Sequence, residues 1–233
     1  MAPRALGINR DGGFADHVLV PHPRYLFAYD PLPEAEACTY ACSGLTAYAA
    51  LKKCAPLGPG DALLVIGAGG VGLSGVRMAA AALGVAPVVA EIDRAKWDTA
   101  RAAGAADCID PTDAAMTRAF VKASGGAAAA IDFVGAASTF SWGLAALRKG
   151  GKLVSVGLFG GTAPLATAML PLRAVSIVGS YVGSLAEMGE VMALARQGGL
   201  PAMPVTARPL AEVNEAMAAL QGGAIRGRAV LQP

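Results

Sequence analysis

The stretch VIGAGGVG, residues 65–72, decides the fold. Its glycines at 67, 69 and 72 follow the apolar run ALLVI and precede VGLSGVRMAAAAL, which has helix-forming composition. Glycine spacing alone carries little weight in a chain with 30 glycines among 233 residues. A strand before it and a helix after it make it a phosphate-binding turn. Gly67 permits the tight bend, Gly69 lets a pyrophosphate approach the backbone, and Gly72 lets the helix pack close to the strand. Free N–H groups at the start of that helix face the anion. The next apolar segment, PVVAEI, carries Glu91 near its end, about 20 residues on, where a ribose-binding carboxylate belongs. A carboxylate there accepts hydrogen bonds from both ribose hydroxyls and repels a 2′-phosphate, so NAD is expected over NADP.

Outward from the turn the alternation continues: RAKWDTARAA as helix, DCID as strand, DAAMTRAFVKAS as helix, AAAIDFV as strand, STFSWGLAAL as helix and GGKLVSVG as strand. Strands that are apolar throughout, separated by helices of ten or more residues, predict a parallel sheet covered on both faces, a doubly wound α/β fold. VSIVGS, two further helical stretches (LAEMGEVMALARQG and LAEVNEAMAALQGG) and a final apolar RAVLQP complete it. Upstream, PEAEACTYACSGLTAYAALKKCAPL has helical composition with acidic residues in its first turn. Before that, FADHVLV and PHPRYLFAYDPLP predict short strands and turns, because their prolines break any helix.

Composition removes several classes of function. Net charge is +2 with no basic run, which predicts no nucleic-acid partner. No apolar stretch reaches the ~20 residues of a spanning helix, and the start has no signal-like apolar core, so no membrane partner and a cytoplasmic location are expected. Four cysteines without C-x-x-C spacing suit a reducing compartment.

The segments ACSGLTAYAAL, GPGDALLVIGAGGVG and VVAEIDRAKWDTARAAGA resemble the zinc-dependent alcohol dehydrogenases of the medium-chain dehydrogenase/reductase family. The resemblance extends over nearly the whole chain. DGGFADHVLVP is similar to the last part of the family's catalytic domain, and LAEVNEAMAALQGGAIRGRAVL to its C-terminal end. It implies a remnant of the β-rich, GroES-like catalytic domain over residues 1–45 and an NAD-binding Rossmann domain over 46–195. Residues 196–233 would end that domain and return to the catalytic remnant. It further implies that Gly67, Gly69, Gly70, Val71 and Gly72 bind the pyrophosphate, that Glu91 replaces the usual ribose-binding aspartate, and that Lys96 lies at the adenosine ribose. Arg228 would contact the pyrophosphate, while Val134 and Gly157, in FVGAA and VSVGL, would line the adenosine and nicotinamide. Cys42 matches a thiolate ligand of the catalytic zinc, and Thr46 a residue close to the nicotinamide.

Such a zinc has three protein ligands and an open position, where it polarises an alcohol. The family's other ligands come from an upstream segment that has no counterpart here, so the chain reads as an N-terminally truncated member with an incomplete zinc site. His17 and His22 read as polar residues on a strand face and in a turn. Cys38, four positions before Cys42, would share its face of a regular helix. Cys54 and Cys108 read as core, and Tyr48, Trp97 and Trp142 as packing residues. The implied reaction is hydride transfer between NAD and a primary or secondary alcohol, giving an aldehyde or ketone. The alternatives are an NAD-binding module without catalysis and a zinc-free reductase of the quinone or enoyl type. A homo-oligomer, dimer or tetramer, is implied, joined through the edge strand AVSIVGSYVG.

Overall fold

The computed structural model describes residues 5–233. Two short helices, α1 (Glu34–Thr39) and α2 (Leu45–Cys54), are separated by a π-helical turn, Tyr40–Gly44. The single helix expected from residue 33 onward is therefore interrupted. There follow β1 (Leu63–Ile66), α3 (Gly70–Leu83), β2 (Val88–Ala90), α4 (Trp97–Ala102), β3 (Asp107–Ile109), α5 (Ala114–Ser124) and β4 (Ala127–Asp132). Then come α6 (Ala137–Ala146), β5 (Leu147–Ser155), α7 (Met169–Arg173), β6 (Ser176–Gly179) and α8 (Leu185–Arg196). The chain ends with β7 (Val205–Pro209), α9 (Val213–Gln221) and β8 (Arg228–Gln232).

Strands β1 to β6 form one parallel sheet in the order β3-β2-β1-β4-β5-β6. This is the doubly wound α/β arrangement, and the strand order reverses direction between β1 and β4. All four residues of β1 are 0–1% exposed, as a strand covered by helices on both faces requires. Each such side chain contributes about 1.5–3 kcal/mol of transfer free energy. Ala47, Leu51, Met78, Ile131 and Val154 pack together on one face of the sheet, and Ile66, Leu144, Leu153 and Phe120 belong to a second cluster. Alanines on α2, α3 and β4 let these layers approach closely, which accounts for the alanine-rich composition.

Local signals set the helix ends. Asp113 caps α5 by accepting from the N–H groups of Ala115 and Met116, and Gly125, at φ 71°, ends it. Gly84, at φ 70°, ends α3. Ser184 and Glu187 form a reciprocal capping box at the start of α8.

Beyond the main sheet, β7 and β8 pair in parallel as a separate two-stranded sheet, with α9 as their connection. At the other end, the segment FADHVLV is not a strand. Residues 11–22 are irregular, with Phe14 69% and Leu19 87% exposed. Alternating side chains are not enough for a strand, because its backbone needs a partner's hydrogen bonds, and no described strand lies alongside it. Among the described residues, the one bridge in this region joins Leu6 and Arg10.

Candidate coenzyme site

The glycine turn sits at the carboxyl end of β1, beside the point where the strand order reverses, which is where open α/β sheets bind ligands. Gly67 adopts φ +92°, a left-handed conformation that costs other residues steric strain. A methyl at Gly72 would run into the Gly67 carbonyl oxygen, so the helix rests directly on the turn. Above Gly69, the N-cap of α3, a methyl would meet nothing. That face of the turn is open. The first hydrogen bond of α3 runs from Leu73 N to Gly69 O at 2.8 Å. The N–H groups of Gly70, Val71 and Gly72 therefore lack intrahelical acceptors and are available to an anion.

A cavity of about 360 Å³ opens over this turn. Its lining brings together Gly67, Gly69, Gly70, Val71, Gly72, Glu91, Lys96 and Val134, together with Pro111, Phe133 and Thr139. Glu91 is 7% exposed. Its Oε2 accepts from Ala68 N at 2.8 Å and its Oε1 from Asp93 N at 2.9 Å. The longer side chain thus ties the end of β2 to the glycine turn. Each carboxylate oxygen retains capacity for a further donor, such as a ribose hydroxyl. Lys96 pairs with Asp93 at 3.8 Å. Arg228 reaches the turn from β8: a Cβ built on Gly70 would lie 2.9 Å from its Nη1. Its guanidinium has no hydrogen-bonded or ion-pair partner among the described residues. Open N–H groups, a buried carboxylate and an uncommitted guanidinium are a donor and acceptor set that fits a dinucleotide.

Gly157 lies behind this lining, where the loop after β5 crosses the loop after β4. A methyl there would strike the Val134 backbone, so the site depends on close backbone contact at this crossing. The main chain holds the crossing, with Val156 N and Gly157 N both donating to Asp132 O at 3.0 Å and Phe159 N to Val134 O at 3.2 Å, while the Asp132 side chain, which sequence reading missed, fixes the loop after β4. Fully buried, Asp132 accepts from Val134 N at 3.0 Å and Gly135 N at 2.9 Å through Oδ1, and from Thr139 Oγ1 at 2.9 Å through Oδ2. The signal was an acid ending an otherwise apolar strand, AAAAID, because a buried carboxylate must be hydrogen-bonded.

Cys42 and Thr46 lie outside the cavity lining. Cys42 is exposed on the π-helical turn and Thr46 is half-buried in the first turn of α2. The helical face that Cys38 would share with Cys42 is broken, since the π-helical turn begins between them and departs from the 3.6-residue spacing. Burial also pushes the Cys38 thiol up, with Arg228 opposing it. His17 and His22 are exposed, and His22 Nδ1 accepts from Arg24 N at 3.1 Å. Among the described residues, no group of three or more His, Cys, Asp or Glu side chains is arranged to hold a metal ion. The donors present do not fit a complete zinc site. Cys54 and Cys108 are buried, and burial pushes the Cys54 thiol up to about 12, as befits core residues. Trp97 and Trp142 pack against the core clusters and donate to Glu91 O and Thr117 Oγ1. Tyr48 also packs there, and its hydroxyl donates to Glu190.

Comparison with known proteins agrees with this geometry. Residues 70–197 match the zinc-binding dehydrogenase family. An NAD-dependent alcohol dehydrogenase of Sulfurisphaera tokodaii is 36% identical over 100% of this chain and 67% of its own length. The NAD-dependent alcohol dehydrogenase of Saccharolobus solfataricus gives the same identity and coverage. Among solved structures, the alcohol dehydrogenase of Aeropyrum pernix superimposes with a TM-score of 0.86 at 29% identity, over 99% of this chain and 68% of that one. The chain thus spans about two-thirds of the length of these relatives. The six-stranded parallel sheet with the glycine turn at its switch point, the match over residues 70–197 and 36% identity to relatives over the whole chain place it in the zinc-binding dehydrogenase family.

Proposed function

We propose that the chain seats NAD across the glycine turn and presents it for hydride exchange with a primary or secondary alcohol, forming an aldehyde or ketone. The observation that carries this reading is the coincidence of the open α3 N-terminus with the buried Glu91 carboxylate on one cavity wall. The N–H groups of Gly70, Val71 and Gly72 and the Arg228 guanidinium would hold the pyrophosphate. Glu91 would accept from the ribose hydroxyls, with Lys96 beside it. A 2′-phosphate would bring negative charge against that carboxylate, so NADP is disfavoured. Val134 and Gly157 would set the wall along which the rest of the dinucleotide lies. Bound NAD supplies the hydride acceptor. The two relatives named as NAD-dependent alcohol dehydrogenases support this assignment.

Cys42, on the turn between α1 and α2, and Thr46, in the first turn of α2, are proposed as the reacting-end residues. The incomplete donor set gives no basis for a metal-dependent step within the described residues, and none is derived. That same observation favours a second reading, NAD binding without turnover. We further propose a homo-oligomer joined through β6, one of the two edges of the six-stranded sheet, with Leu172 on α7 before it and Tyr181 just after it 75% and 67% exposed. A cytoplasmic location is supported by four free cysteines. No helix among the described residues is long and apolar enough to cross a membrane.

The test is to incubate the purified chain with NAD and a panel of primary and secondary alcohols, with and without added zinc, and follow reduced coenzyme by absorbance. Reduction above the enzyme-free blank supports hydride transfer. NAD binding without reduction under any condition selects the non-catalytic reading.

A further inference from the structure

We propose that Arg77 is a positioning residue whose buried guanidinium locks the Cys42-bearing turn to the helix that begins at the coenzyme turn. The proposal rests on the coenzyme reading above and adds the link between its two halves. Helix α3 opens at Gly70 and carries Arg77 two turns later, 3% exposed. Arg77 Nη2 donates to Glu36 Oε1 at 2.7 Å, and its Nε donates to Pro201 O at 2.6 Å. Its guanidinium also stands 5.5 Å from the centroid of the Tyr40 ring. The Tyr40 hydroxyl donates to the same Glu36 oxygen at 3.0 Å. Tyr40 is 2% exposed and opens the π-helical turn that presents Cys42.

This arrangement is directional. A planar fork with two fixed acceptors and a ring on one face has one satisfactory placement, whereas an apolar side chain of similar volume would fill the space without specifying one. Buried ion pairs add little net stability over such a filler, so their distinctive contribution is to geometry. The π-helical turn has particular need of it, because it holds one residue more than a regular helical turn. Its far side is closed by Tyr40 itself: a methyl at Gly44 would come within 2.7 Å of Tyr40 Cδ1. Arg77 and Gly44 thus bracket the tyrosine, and the tyrosine holds the turn.

The experiment measures iodoacetamide labelling of each cysteine by peptide mass spectrometry, with and without saturating NAD, in wild type, Arg77→Met and Arg77→Lys. NAD affinity is titrated in parallel, and buried Cys54 and Cys108 report on the fold. In wild type, NAD slows labelling of Cys42. In Arg77→Met the protection is lost while NAD affinity stays within about threefold, as expected for local rather than global loosening. Arg77→Lys, which keeps a charged donor beside Glu36 but lacks the fork that also reaches Pro201 O, recovers only part of the protection. Four results would overturn the proposal: no protection in wild type despite NAD binding, protection unchanged in Arg77→Met, protection and affinity falling together, or Cys54 and Cys108 becoming reactive in both variants. Failure of wild type to bind NAD would sink the coenzyme reading itself. The Arg77 link would then be judged from free-protein labelling, where Arg77→Met must change the Cys42 rate and Arg77→Lys must change it less.

Discussion

Replacing Gly67 with alanine tests the glycine turn at its most constrained point. The residue sits at φ +92°, and a Cβ built on it lies 2.7 Å from Val134 Cγ2, well inside ordinary van der Waals contact. The left-handed backbone costs an alanine about 1–2 kcal/mol, and crowding a packed wall adds about 1–3 kcal/mol. The Val134 methyl can rotate away in part, so we expect a total of about 2–4 kcal/mol. For a chain of this length that corresponds to a fall in Tm of about 5–15 °C. Tilting the turn also misaligns the N–H groups of Gly70, Val71 and Gly72, and NAD affinity should fall by at least about tenfold, or 1.4 kcal/mol. Calorimetric melting and NAD titration read the two effects separately. A variant with Tm within about 2 °C of wild type and unchanged NAD affinity would refute the reasoning.

Other substitutions probe the same account elsewhere. Gly189, inside α8, has an ordinary helical backbone, and a methyl there would meet nothing. Gly189→Ala should therefore raise stability by about 0.5–1 kcal/mol, visible as a higher denaturant midpoint. Asp132→Ala removes a fully buried carboxylate, stripping the acceptor from two backbone N–H groups and one of two acceptors from the Thr139 hydroxyl. It should cost about 3 kcal/mol or more, and Tm should drop by about 6–12 °C. Glu187 is held below the usual carboxylate range, first by the Ser184 N–H and then by the Ser184 hydroxyl. Its contribution is present above the unfolded carboxyl range and is lost as pH falls through the folded value. Wild type should therefore melt above Glu187→Gln at neutral pH, with the gap closing as pH falls through the carboxylate range. A gap that is constant with pH would contradict the capping role.

The sheet was legible because β1, β2 and most of β4 are apolar and each is followed by a helix, with local end signals such as Gly84 and Asp113, whereas β5 carries Arg148, Lys149 and Lys152 and was legible only from Gly150 on. The pyrophosphate turn and Glu91 were legible for the same reason: their chemistry is local, set by glycine spacing and by one acid at a strand end. Asp132 and Thr139 were harder to see: their hydrogen bonds span only two to seven positions, but the burial that makes them matter comes from β4 lying between β1 and β5 in the sheet. The break between α1 and α2 was invisible as well. Helical composition runs unbroken through TYACSG, and the π-helical turn follows from Tyr40 being held by Glu36 and Arg77, which lies 37 positions on. FADHVLV misled in the opposite direction. It has the alternation of a strand but no described neighbour to pair with, and a strand is defined by its pairing. β7 was missed because VTARP is short and ends in proline.

The central claim is that the glycine turn and Glu91 together bind NAD, with the 2′-position facing a carboxylate. Isothermal titration of NAD and NADP into the same preparation, repeated with a metal chelator present, tests it most directly. The account predicts one NAD per chain, affinity at least about tenfold above that for NADP, and no effect of the chelator. Equal or tighter binding of NADP, or absence of NAD binding, would contradict it.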